Sequence, residues 1–214
     1  MNSFAALAGH GLYVITDGPR PDLLEVAALA LAGGARLLQY RDKTTDYDRR
    51  QREAAALKQL CDAHGVPLII NADIALALAV GASGVHIGPE DVDLATARRL
   101  IGNQAIIGVS CMASLPRAEA AASGGANYVS FGAFHPSRTK PLAGRAPLEL
   151  LGQSAALGVP RVAIGGITPD NGAVLVAAGA DFLAAVSAVF CADDVRATAQ
   201  RFSDLYLPEH GTSA

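Results

Sequence analysis

Cysteine is scarce: it occurs three times, at 61, 111 and 191, with no C-x-x-C pair. An odd, scattered set supports neither a disulfide framework nor a zinc site, so the three read as small, semi-buried residues. Charge of one sign is also lacking, since 17 basic and 20 acidic side chains leave a formal net charge of −3 with no basic run. That balance gives no footing for nucleic acid or an acidic membrane surface as partner. No apolar run reaches membrane-spanning length, because Asn71 and Asp73 interrupt the most apolar stretch, at 66–80. The opening MNSFAALAGHGLY has neither the charged region nor the apolar core of a secretory leader, so a cytoplasmic protein is expected. The G-x-G-x-x-G fingerprint of a dinucleotide fold is missing too: Asp17-Gly18-Pro19 follows the first strand candidate.

What is present is a repeat of β-rich and helix-like runs in a chain of 214 residues, 51% of them hydrophobic. Strands are expected at 12–16, 37–40, 68–71, 85–87, 106–110, 128–131, 161–164 and 182–186. Helices are expected at 23–32, 47–64, 74–80, 94–100, 115–123, 147–157, 170–178 and 195–205. Gly33-Gly34-Ala35, Gly81-Ala82, Gly125-Ala126 and Gly179-Ala180 each close a helix and lead into a strand, a helix stop of one repeated kind. Repeated β-then-α units with buried strands imply a parallel sheet. Eight of them in this length favour an α/β fold closed as a (β/α)8 TIM barrel, a single domain over 1–207, with a polar tail at 208–214 expected to fray.

On that scaffold the polar residues gather at the carboxyl ends of the strands, the rim on which barrel active sites are built. Gln39, Arg41 and Lys43 alternate at the end of the second strand; Asn71 ends the third, Glu90-Asp91 follow the fourth and Ser110 ends the fifth. After the sixth comes FGAFHPSRTKP (131–141), where two prolines bracket Ser137, Arg138, Thr139 and Lys140, a seat for a phosphate-type anion. Gly165-Gly166-Ile167-Thr168 after the seventh strand and Val186-Ser187 after the eighth form the second anion seat, where many barrels hold a phosphate monoester. Arg41, Lys43 and Lys140 near Asn71, Asp91 and Ser110 suit a diphosphate with Mg²⁺, which takes one or two carboxylates plus phosphate oxygens. Two anion sites on one rim imply two small phosphorylated substrates.

Each of these residues has a structural alternative. Arg41 and Lys43 could be a solvated pair, Asp91 an N-cap, Ser110 a capping or packing residue, and Gly165-Gly166 a tight turn. His86 is expected to be a hydrogen-bonded core histidine, and His135 to shape its loop without forming a metal site.

QYRDK (39–43), LIINADIALALAVGASGVHIGPED (68–91), IIGVSC (106–111), FGAFHPSRTKP, VAIGGITPDN (162–171) and AAVSAVF (184–190) keep the order and spacing of the thiamine phosphate synthase family, which the chain resembles over nearly its whole length. The resemblance implies a Mg²⁺-dependent transferase. It would join a hydroxymethylpyrimidine diphosphate to a thiazole phosphate, giving thiamine monophosphate and pyrophosphate. By matching position, Gln39, Arg41, Lys43, Asn71, Ser110 and Lys140 would hold the pyrimidine diphosphate. Ser137, Arg138, Thr139, Gly166, Val186 and Ser187 would hold the thiazole phosphate, and Asp91 a magnesium ion. The implied mechanism is ionisation followed by capture, with Arg41, Lys43, Ser110 and Lys140 as the catalytic set that stabilises the leaving diphosphate. The resemblance admits a homo-oligomer.

One departure stands out: the family's second magnesium ligand, an Asp after the Asn of the third strand, is Ala72 here. Three readings follow, namely magnesium held through Asp91, diphosphate oxygens and water; partial replacement by Asp73; or a weakened or inactive enzyme. The rivals to a synthase are a thiazole tautomerase-like isomerase and a non-catalytic protein that binds thiamine phosphate or its precursors.

Overall fold

In the computed structural model, which describes residues 7–136 and 145–207, eight parallel strands close into a barrel in the sequential order 1 to 8. The strands are β1 (Gly11–Ile15), β2 (Leu37–Tyr40), β3 (Leu68–Asn71), β4 (Gly84–Ile87), β5 (Ile106–Met112), β6 (Tyr128–Phe131), β7 (Arg161–Ile164) and β8 (Phe182–Ala185). The helices between and after them are α1 (Leu23–Ala32), α2 (Tyr47–His64), α3 (Ile74–Val80), α4 (Leu94–Ile101), α5 (Leu115–Ser123), α6 (Glu149–Gln153), α7 (Ala173–Ala177), α8 (Ser187–Phe190) and α9 (Val195–Asp204). The (β/α)8 barrel expected from the repeat is the fold; the expected frayed tail, 208–214, lies outside the described residues.

Local chemistry explains where most helices start and stop. Asp46, Asp73, Asp93, Ser114 and Asp194 each accept a bond from the backbone N–H three residues on, satisfying a donor the helix leaves orphaned. At the other end the glycine punctuation is one device used again and again. Gly34, Gly81, Gly125 and Gly179 all have positive φ, and the alanine after each donates its N–H to the carbonyl five residues back: Ala35 to Ala30, Ala82 to Ala77, Ala126 to Ala121 and Ala180 to Leu175, at 2.9–3.2 Å. That 6→1 bond is the Schellman stop, and it turns the chain straight into the next strand. Gly65 followed by Val66 makes the same stop after α2.

Three elements differ from expectation. The helix expected at 147–157 is α6 followed by a separate 3₁₀ turn, Ala155–Leu157. The helix expected from 170 begins only at Ala173, because Asn171 turns back: its Oδ1 accepts from Thr168 N (2.8 Å) and its Nδ2 donates to the Gly166 carbonyl (3.0 Å). The short helix α8 was not expected, since four residues are too few to show a helical period.

Side chains sort by strand parity. One set packs outward against the helices; the other, including Tyr13, Leu37, Ile69, Ile106, Tyr128, Val162 and Phe182, fills the barrel interior, with Leu7 packed in the same cluster. Continuing that inward parity toward the carboxyl ends of the strands leads to Gln39, Asn71, His86, Ser110 and Ser130, where the interior turns polar.

Candidate active site

Above the apolar interior opens a cavity of about 1190 Å³. Its walls include Gln39, Arg41, Lys43, Asn71, Asp91, Ser110, Gly166, Val186 and Ser187, so every expected site residue that is described faces one space. Ser137, Arg138, Thr139 and Lys140, expected to close the remaining side, lie outside the described residues.

The β2 end is tightly held. Thr16, fully buried, clamps the backbone of Arg41 from both sides: its Oγ1 accepts from Arg41 N (2.8 Å) and donates to Arg41 O (3.1 Å). One residue on, the buried carboxylate of Asp42, itself at the cavity wall, pairs with the partly exposed Arg49 of α2 (2.7 Å) and accepts from Thr44 N (2.7 Å). Burial alone would raise the Asp42 pKa, but the bonds from Arg49 and Thr44 outweigh it and hold the carboxyl below its ordinary value. Arg49 also pairs with Glu53 (2.9 Å), and Tyr40 donates to Glu53 (2.7 Å). Arg41, Asp42 and Lys43 all line the cavity, with Asp42 anchored by Arg49 and Thr44 between the two cations.

At the β3 end Ala72 has φ 61°, a left-handed conformation uncommon for a residue with a Cβ. Asp73 is already engaged through both oxygens: Oδ1 caps α3 by accepting from Leu76 N (2.9 Å), and Oδ2 accepts from Arg50 Nη2 (2.8 Å). Its engagement weighs against the reading in which Asp73 takes over as a magnesium ligand. At the β4 end the N-cap is Asp93, not Asp91; Asp91 Oδ2 accepts from Gly88 N (2.7 Å), which leaves one carboxylate oxygen for a cation. Among the described residues no group of three or more His, Cys, Asp or Glu side chains could hold a metal ion by itself.

At the β5 end Ser110 lies beside an irregularity in the β5–β6 register, and Met112 beyond it also has positive φ (55°). Among the described residues the Ser110 hydroxyl bonds Met112 Sδ, at 3.7 Å, and Ser110 lines the cavity. Across the rim, Gly166 has φ 62°, and a Cβ there would stand 2.3 Å from the carbonyl oxygen of Pro136. The glycine therefore lets the loop after β6 lie directly on the loop after β7. Burial holds the imidazole of His135 in that loop below its ordinary pKa, and the charge of Arg145 adds to the effect.

Sequence reasoning missed several cavity residues. Ser130, paired in register with Ser110, follows the same inward parity and could have been found by extending it from Tyr128. Arg50 comes from a helix, beside the ring of Tyr47 (5.6 Å), and no strand pattern points to it. His86 was expected in the core; it is hydrogen-bonded as expected, through Nδ1 to the Tyr128 hydroxyl (3.0 Å), yet it also lines the cavity.

Comparison with known proteins adds the family. A family model described as thiamine monophosphate synthase matches residues 12–189. The thiamine-phosphate synthase of Chromobacterium violaceum is 52% identical over 193 residues, covering 89% of this chain and 93% of its own. That of Thioalkalivibrio sulfidiphilus is 50% identical over 201 residues, covering 92% and 95%. Among solved structures, a thiamine phosphate pyrophosphorylase from Pyrococcus furiosus superposes with a TM-score of 0.84 at 34% identity, covering 95% of this chain and 97% of its own.

Proposed function

Since the chain belongs to the thiamine monophosphate synthase family, and so is a transferase of thiamine biosynthesis, we propose the following division of its cavity between two substrates. The reaction joins 4-amino-2-methyl-5-hydroxymethylpyrimidine diphosphate to a thiazole phosphate, releasing pyrophosphate and forming thiamine monophosphate. Gln39, Arg41, Lys43, Asn71 and Ser110 take the pyrimidine diphosphate, with Lys140 from the loop after β6. Gly166, Val186 and Ser187 take the thiazole phosphate, with Ser137, Arg138 and Thr139 from that same loop. The convergence of the described members of both sets on one cavity carries this reading.

Dissociative substitution fits the walls. Diphosphate leaves the pyrimidine methylene carbon, and the thiazole nitrogen then attacks the carbon it leaves behind. Little acid–base machinery is needed; the leaving anion must be stabilised by donors already in place. Arg41, its backbone held by Thr16, and Lys43, held beside the Asp42–Arg49 pair, are such donors, with Asn71 and Ser110 as neutral ones. Mg²⁺ fits a site in which Asp91 offers one free carboxylate oxygen, because it ordinarily binds through one or two carboxylates plus substrate phosphates and water. Bound there, it would neutralise charge on the diphosphate. The cytoplasm, where both phosphorylated substrates would be retained, is the proposed location.

The test is an assay with both precursors and Mg²⁺, scored by thiamine monophosphate. Arg41→Ala should lower kcat about 100- to 1,000-fold while the Kd for thiazole phosphate stays within about twofold. Loss of both in parallel would refute the two-site division, and tight product binding without turnover in the unaltered protein would point to a binding protein.

A further inference from the structure

A chain of polar groups crosses the barrel interior directly beneath the cavity. Gln39 Nε2 donates to the Tyr13 hydroxyl (2.7 Å), the Tyr13 and Tyr128 hydroxyls are 2.8 Å apart, and Tyr128 meets His86 Nδ1 at 3.0 Å. Tyr13 and Tyr128 are buried to 1% and 0% exposure and Gln39 to 2%, so these groups depend on one another rather than on water. The backbone makes room for the crossing: a Cβ on Gly108 would stand 1.9 Å from Tyr128 Cζ, so the residue beside Tyr128 in register has no side chain. The His86 ring lies nearly parallel to that of Tyr128, 13° off, with centroids 5.6 Å apart. Burial, more than the bonds that oppose it, raises the Tyr13 pKa well above its ordinary value, and burial does the same for Tyr128; both stay protonated.

The donor order of such a chain follows from which way the Gln39 amide is turned, here with Nε2 toward Tyr13. An amide NH₂ can only donate, so Tyr13 oxygen accepts from Gln39 and must pass its own proton to Tyr128. Tyr128 then donates to His86 Nδ1, which puts the imidazole proton on Nε2. The reverse order requires Tyr13 to donate toward Gln39, which is possible only if the amide turns over to present Oε1. Gln39 orientation and His86 tautomer are therefore one variable, coupled through two hydroxyls.

We infer that Tyr13, Tyr128 and His86 are positioning residues that hold the Gln39 amide with its carbonyl oxygen available to the cavity, so that the pocket selects a pyrimidine bearing an amino donor over one bearing an oxo acceptor at the same ring position. This rests on the proposal that Gln39 faces the pyrimidine. A site whose buried polar group is set as an acceptor pairs with an amine and is left unpaired against a carbonyl, the kind of mismatch that discriminates strongly.

The test compares Kd by titration calorimetry, without thiazole phosphate, for the 4-amino pyrimidine diphosphate and its 4-oxo counterpart. Tyr128→Phe leaves the Tyr13 proton no acceptor but Gln39 Oε1 and should turn the amide over. Tyr13→Phe removes the bond that fixes it. In each variant the oxo/amino Kd ratio should fall at least about tenfold from that of the unaltered protein, with the Kd for thiazole phosphate unchanged. Gln39→Ala should abolish the preference. If Gln39→Ala abolishes it while both Tyr→Phe variants retain it, the relay is refuted and the pyrimidine pocket stands. If Gln39→Ala retains it, Gln39 does not face the pyrimidine and both statements fall. A ratio near one in the unaltered protein also overturns the inference.

Discussion

Position 72 concentrates two costs in one residue. Alanine there forgoes a carboxylate beside the proposed diphosphate site, and it does so at φ 61°, where Asp and Asn are better tolerated because their short polar chains bond locally. Ala72→Asp should therefore lower the Mg²⁺ concentration giving half-maximal rate, and raise stability slightly, by a few tenths of a kcal/mol to about 1 kcal/mol. An unchanged Mg²⁺ requirement would show that position 72 has no bearing on the metal in this chain. The neighbouring Asp73 should not gain a metal role in either form, since it caps α3 and pairs with Arg50.

Among the elements, the loop from β2 to α2 is where stability and site are tied by charge. Asp42 is held below its ordinary pKa, so its contribution is full above the unfolded carboxylate value of about 3.9 and is lost as pH falls through the lower folded value. Asp42→Asn should cost about 2 kcal/mol at neutral pH, measured by denaturant unfolding, and the gap to the unaltered protein should narrow as the pH is taken below about 3. A gap independent of pH would mean the Arg49 pair is not what the carboxylate contributes. At this scale the sequence was largely legible: helix stops announced themselves because glycine followed by a small residue encodes the 6→1 turn, and Gln39, Arg41 and Lys43 because strand parity turns alternate residues to one side. The late start of α7 was hidden, since it depends on where the Asn171 side chain bonds, and α8 was too short to carry a period.

Over the whole molecule, closure of the barrel creates relations that no local pattern contains. Tyr13 and Tyr128 meet although 115 residues separate them, because β1 and β6 face each other across the interior; neither residue by itself signals the contact. Closure also divides the interior along its axis, apolar near Leu7, Leu37 and Phe182 and polar where Asn71, Ser110 and Ser130 look into the cavity. Stability and chemistry should then separate by position along one strand axis. Phe182→Ala, which empties a fully buried interior position, should cost about 3–5 kcal/mol in unfolding free energy while the KM for both substrates holds. Ser110→Ala, which among the described residues removes only a hydroxyl–thioether contact, should leave unfolding within about 0.5 kcal/mol and lower kcat about 100-fold or more. Paired measurement of both variants decides the matter: if Phe182→Ala disturbs KM as much as it disturbs stability, the lower layer is part of the binding surface, and the division into a supporting base and a reactive rim does not hold for this barrel.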